Sequence, residues 1–166
     1  MLYYHGTDKD FDQFDLNMAL PQKDFGAGMY LSQEQWHAER VARAKNGEHV
    51  YIRVYDVNME ELRKHLNVRV FKKTSVDWVK YVEINRNSIV DSPYDIVIGA
   101  TADAAAQKTL EAFHRKHRTR TASPKEYREL ISSLSVHRYP IQMAALTQKA
   151  INYLENECYA ETFEIV

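Results

Sequence analysis

The chain has one cysteine, Cys158, so neither an internal disulfide nor a multi-cysteine zinc site can form. Nothing near it in sequence activates the thiol, and a small, partly buried residue is expected there rather than a nucleophile. Five glycines and four prolines are few for 166 residues, and no Pro/Gly/Ser-rich linker, repeat or low-complexity tract divides them. One domain spanning 1–166 is expected. Neither charge is in excess: 22 Lys+Arg stand against 23 Asp+Glu, a formal net charge of -1. That excludes a bulk positive field for nucleic acid and an acidic solvating tail, so a charged partner must be met by a local patch. No apolar run approaches the roughly 20 residues of a membrane-spanning helix. The opening MLYYHGTDKD carries no apolar signal region, so a cytoplasmic protein with no membrane partner is expected.

What the chain does have is hydrophobic residues at 45% and eleven tyrosines, enough for a filled core and for flat stacking surfaces. The opening Leu2-Tyr3-Tyr4-His5 is β-prone and breaks at Gly6-Thr7-Asp8. Ser32 is placed to cap a helix over Gln33 to Lys45, which Asn46-Gly47 stops. Val50 to Val57, rich in β-branched and aromatic residues, predicts a largely buried strand. A short helix is expected from Asn58 and another over Ser75 to Asn85; Tyr94 to Gly99 follows as a buried strand. Helices are predicted over Ala102 to Lys116 and from Pro124 through Leu134, then a strand over Tyr139 to Leu146, a Thr147-capped helix through Leu154, and a last strand over Tyr159 to Val166. Strands scattered among helices without regular βαβ alternation point to an α+β fold rather than a doubly wound parallel sheet.

Gly26-Ala27-Gly28 opens like a dinucleotide fingerprint but lacks the third glycine and follows an irregular loop, so a Rossmann site is rejected. His114 and His117, at i, i+3 spacing, lie in no ligand pattern, and no metal is expected. His114 to Arg120, with Lys125 and Arg128, is the one concentration of positive charge. It reads first as a solvated helix end complementing the helix dipole, and second as a dock for a phosphate-rich substrate or an acidic partner.

Three stretches in order carry more information: Tyr4-His5-Gly6-Thr7, Lys23-Asp24-Phe25-Gly26-Ala27-Gly28-Met29-Tyr30-Leu31-Ser32, and Tyr94-Asp95-Ile96-Val97-Ile98-Gly99-Ala100-Thr101-Ala102-Asp103. Together they resemble the ADP-ribosyltransferase superfamily of the diphtheria-toxin and poly-ADP-ribose-polymerase type, and more narrowly a group of short bacterial proteins that share all three. The resemblance covers essentially the whole chain. It implies an α+β domain built on a split mixed β-sheet with flanking helices, using NAD as co-substrate.

The resemblance also assigns roles. His5 would hydrogen-bond a ribose hydroxyl, the backbone of Gly6 would pair with the nicotinamide carboxamide, and Tyr30 would stack on the nicotinamide ring. Thr7 and Ser32 would add hydroxyls near the ribose, and Asp24, Phe25, Gly26 and Gly28 would form the loop bordering the nucleotide. Cleaving the nicotinamide–ribose bond passes through an oxocarbenium-like state, which this superfamily usually stabilises with a late-strand glutamate. The matching position here is Gln142, which hydrogen-bonds but carries no charge and is no general base. His5, Tyr30 and Gln142 are therefore the expected catalytic set. Arg86 is a candidate for the NAD pyrophosphate, with a surface ion pair as the alternative. Asp103 is as well explained by helix capping as by catalysis. The expected function is mono-ADP-ribosyl transfer, a glycosyl transfer, to a protein or nucleic-acid acceptor, as in a bacterial toxin or defence effector with a small antitoxin partner. A non-catalytic NAD or ADP-ribose binding module and an NAD glycohydrolase stay open.

Overall fold

Leu2–Thr7 forms the first strand, β1, and the chain builds its sheet outward on both sides of it. In this computed structural model residues 1–165 are described, so Val166, expected in the last strand, lies outside the described residues. The other strands are β2 (Met29–Ser32), β3 (Val50–Asp56), β4 (Val68–Val70), β5 (Ile96–Ala100), β6 (Ile141–Ala145) and β7 (Tyr159–Ile165). They form one sheet in the order β4-β5-β6-β2-β1-β3-β7, antiparallel except for the parallel β4–β5 pair. Six helices flank it: α1 (Gln35–Arg43), α2 (Met59–His65), α3 (Val76–Asn87), α4 (Ala104–Lys116), α5 (Pro124–Ser135) and α6 (Gln148–Tyr153). The α+β class with a mixed sheet is thus the observed architecture.

Local chemistry sets the helix starts. Asn58, Ser75, Asp103, Ser123 and Thr147 each accept a backbone N–H of the first turn, and Ser123 forms a reciprocal capping box with Glu126. Most element ends lie within two residues of expectation, and the largest difference in kind is at Ser32. Ser32 ends β2 instead of capping a helix, and α1 begins at Gln35, because Ser32 pairs with Tyr4 and Gln142 in the ladder. The three-residue β4 was not expected, since Val68-Arg69-Val70 is too short to show an alternation and gains its place from Ile96–Ile98 beside it.

The alternation of the central strands divides the core in two. Tyr3, Met29, Leu31, Tyr55, Ile96 and Met143 face α6 on one side. On the other, Phe25, Val97 and Ala144 pack with Trp78 and Val82 of α3 and with residues of α4 and α5, while Ile52 and Val54 pack against Ala38 of α1. On this second side two separate helical covers share one sheet. The gap between α1 and the α3–α4 layer is a cleft floored by β2 and β6.

Candidate functional site

β1 and β2 share a single register pair, Tyr4 with Ser32. Past it β1 continues beside β3 to Thr7 and β2 continues beside β6, so the two strands part company. The His5 ring bridges the opening: its Nδ1 lies 2.8 Å from the Tyr30 carbonyl oxygen. A carbonyl only accepts, so Nδ1 carries the proton and Nε2 is left with a lone pair. Phe11 and Phe14 meet the ring edge-on at 5.9 and 5.7 Å. Burial pulls the His5 pKa from 6.5 down to about 4; the Tyr30 hydrogen bond opposes this and the charges of Lys45 and Arg53 reinforce it. The imidazole is neutral at pH 7.

Tyr30 uses its hydroxyl to hold a turn. The hydroxyl donates to the Gly26 carbonyl at 2.7 Å and accepts from Phe25 N–H at 3.0 Å. Its ring lies against Phe25, planes 20° apart, and burial pushes the phenol pKa up, so it stays protonated. Gly26 adopts φ 103°, a backbone region side chains disfavour, which lets the chain reverse into β2.

Asp24 is the second hub. Its buried carboxylate takes the Arg86 guanidinium, with Nε at 2.7 Å and Nη2 also bonded, and the Ala102 N–H at 2.9 Å. It also accepts from Gln142 Nε2 at 2.9 Å. The direction of this last bond is fixed, because a carboxylate held by an arginine can only accept. The amide nitrogen of Gln142 is therefore committed to Asp24, and its carbonyl oxygen has no partner among the described residues. A glutamate at 142 would set two carboxylates against each other; this is a physical reason for a glutamine at that position.

The cleft has a volume of about 780 Å³. Of the expected site residues, His5, Gly6, Thr7, Asp24, Gly28, Tyr30, Arg86 and Gln142 line it. Phe25, Gly26 and Ser32 do not. Phe25 is fully buried among Phe71, Tyr81 and Tyr30, Gly26 is spent on its turn, and Ser32 is buried against His37 and the Glu34 N–H. The absence of a side chain at Gly6 has a different cause from the one expected: a Cβ there would come 1.9 Å from the Ala38 carbonyl oxygen of α1. Asp103 is an N-cap, accepting from Ala106 N–H at 2.8 Å.

Residues not singled out from sequence complete the walls. Lys9, Lys23 and Lys45 supply cations, Phe14 and Val41 apolar surface, and His37 a second imidazole. Isolated cations and a histidine on a short helix carry no periodic signal, so only the fold gathers them. The basic segment lies elsewhere. Glu126 receives Arg120 through both carboxylate oxygens at 2.9 and 2.6 Å, with Lys116 at 3.4 Å and His117 at 3.1 Å, while His114 meets Glu83 at 2.7 Å. Arg120 and the Ser123 N–H hold the Glu126 carboxyl far below the usual carboxylate range. Much of that positive charge is answered within the protein.

No helix among the described residues is long and apolar enough to cross a membrane. The profile of the family described as "Protein of unknown function (DUF3990)" matches residues 1–156, nearly the whole chain. No curated protein and no solved structure matches it.

Proposed function

The chain belongs to the DUF3990 family, and for this member we propose an NAD-dependent mono-ADP-ribosyltransferase. The observation that carries the reading is the neutral, anchored His5, its Nε2 lone pair free, in a cleft that Tyr30 and Gln142 also line. Nε2 accepts a ribose hydroxyl, which requires the unprotonated ring that burial provides. The Tyr30 ring offers a flat face for nicotinamide, its hydroxyl being occupied by the turn. Gln142 offers its carbonyl oxygen to a second ribose hydroxyl, and its partial negative charge faces the positive charge that develops at the ribose carbon. Lys9, Lys23 and Lys45, with Arg86 Nη1, give the pyrophosphate its counter-charge. The volume suits a bound dinucleotide, since ligand clefts run from roughly 300 to 1,000 Å³.

The acceptor in this reading is a cytoplasmic macromolecule, and the setting is that of a bacterial toxin or defence effector checked by a small partner protein. Both rest on the motif resemblance. NAD glycohydrolysis is the second reading, because water is the smallest acceptor that can reach a site whose His5 and Gln142 are both buried. The test is free nicotinamide from NAD, with and without cell lysate, against His5→Ala. Release that requires lysate supports transfer; release without it supports hydrolysis. NAD binding with no release above the control in either condition excludes both and leaves a binding module.

A further inference from the structure

The ribose and nicotinamide contacts leave one cleft imidazole without a task. His37, in the first turn of α1, lines the cleft at 7% exposure. Its Nδ1 lies 3.2 Å from Ser32 Oγ. Ser32 is the register partner of Gln142 across β2 and β6, so the two side chains are same-face neighbours about 4.5–5.5 Å apart at Cβ. His37 thus stands one side chain from Gln142. Ser32 Oγ also accepts the Glu34 N–H at 3.1 Å and, towards His37, can either accept an Nδ1–H or donate its own proton to Nδ1. In the tautomer whose Nδ1 donates to Oγ, Nε2 of His37 carries a lone pair; Nε2 has no hydrogen-bond partner among the described residues and is not sealed from solvent.

Transfer to an acceptor X–H needs a group to take the acceptor's proton. Gln142 cannot, Asp24 is saturated by Arg86, Ala102 and Gln142, and both His5 nitrogens are engaged in the proposed complex. We propose that His37 is the general base of this cleft, oriented by Ser32. The inference rests on the ADP-ribosyl transfer reading. In the step, the bond from C1′ to the nicotinamide nitrogen breaks and its electron pair leaves with neutral nicotinamide. A lone pair of X forms the new bond to C1′, the X–H proton passes to His37 Nε2, and the imidazolium then releases it to water. Burial, with Arg40 acting in the same sense, holds the His37 pKa below 6.5, so the base form prevails at pH 7. Arg40 on its own helix is the charge that acts on His37, and the other charged and titratable groups that line the same cleft include Lys45, His5, Asp8, Asp24 and Arg86.

The experiment measures nicotinamide release with water as acceptor, and label transfer from radiolabelled NAD into lysate, between pH 4.5 and 8 for wild type, His37→Gln, His37→Ala and Ser32→Ala. His37→Gln is expected to lower kcat at least about 100-fold with KM for NAD little changed. The wild-type loss of rate below pH 6.5 disappears in this variant, and added imidazole restores part of the rate to His37→Ala. Ser32→Ala moves the acid limb without abolishing it. A folded, NAD-binding His37→Gln that keeps wild-type kcat and the same limb overturns the proposal while leaving transfer intact. A wild type with neither release nor labelling overturns both.

Discussion

Arg53 and His5 stand directly opposite each other on β3 and β1, and the arginine holds the wall of the histidine's pocket. Arg53 Nη1 donates to the Phe11 carbonyl at 2.7 Å, its guanidinium lies 4.4 Å from the centre of the Phe11 ring, and that ring meets His5 edge-on. Nη2 binds Glu155 at 2.6 Å and Nε donates to Tyr55 Oη at 3.1 Å, both charged side chains being almost wholly buried. The segment between β1 and β2 is thus tied to the sheet by an ion pair formed with the far end of the chain.

Arg53→Met leaves Glu155 buried and uncompensated, and is expected to cost about 3–5 kcal/mol in chemical denaturation. Hydrogen exchange should quicken in residues 8–24 beyond what global destabilisation explains. The double variant Arg53→Met with Glu155→Leu should recover part of the stability without recovering that protection. Unchanged exchange in Arg53→Met would show that the segment holds itself.

The depressed His5 pKa links folding to pH. A histidine that stays neutral when folded contributes fully above its unfolded pKa of about 6.5, and that contribution is lost as pH falls towards its folded value of about 4. The loss amounts to about 3 kcal/mol over that interval. His5→Gln, whose amide can still donate to the Tyr30 carbonyl, removes this component. Between pH 7 and pH 4, urea denaturation should show wild type losing about 3 kcal/mol relative to His5→Gln, and an unchanged difference would exclude the linkage.

Gly6→Ala places a methyl group 1.9 Å from the Ala38 carbonyl oxygen, a backbone atom that cannot swing aside. A loss of about 3 kcal/mol is expected, with α1 displaced from β1. Thermal melting reads the loss, and amide shifts of α1 read the displacement. Wild-type stability would mean that α1 packs farther from the strand.

Gln142→Glu restores the charge usual in the resembled superfamily, yet here it should lower stability at pH 7 by about 1–3 kcal/mol, because it sets a second carboxylate against that of Asp24 in place of a hydrogen-bond donor. The raised pKa of the new carboxyl makes this penalty fade as pH falls towards about 4.3. Asp24→Asn in the same chain should relieve it at pH 7. Denaturation across pH in a double-mutant cycle checks the coupling.

Strands such as Val50–Asp56 and Ile96–Ala100 were legible because β-branched runs with turn residues at their ends need no partner to be recognised. His5, Tyr30 and Gln142 were legible through short motifs, and the fold brings all three to one cleft. Phe25 and Ser32 share a motif with cleft residues, but Phe25 packs among Phe71, Tyr81 and Tyr30, and Ser32, on the same face of β2 as Tyr30, is covered by His37 at the start of α1. Arg53 was invisible for the converse reason. A lone cation inside an apolar strand shows its meaning only when Glu155, about a hundred residues on, comes to meet it.

The lone Tyr4–Ser32 rung between β1 and β2 has a mechanical consequence. Elsewhere the strands pair over several residues, but along this seam the remaining fastenings are side-chain bonds, His5 to the Tyr30 carbonyl on one side of the rung and Gln33 to the Tyr3 hydroxyl on the other. Little backbone hydrogen bonding therefore crosses this seam, and the two halves of the sheet are held together largely by the apolar core that Tyr3 and Tyr55 share with Met29, Leu31 and Met143. The same histidine that presents its lone pair to the cleft is also a clasp across the seam where the sheet parts.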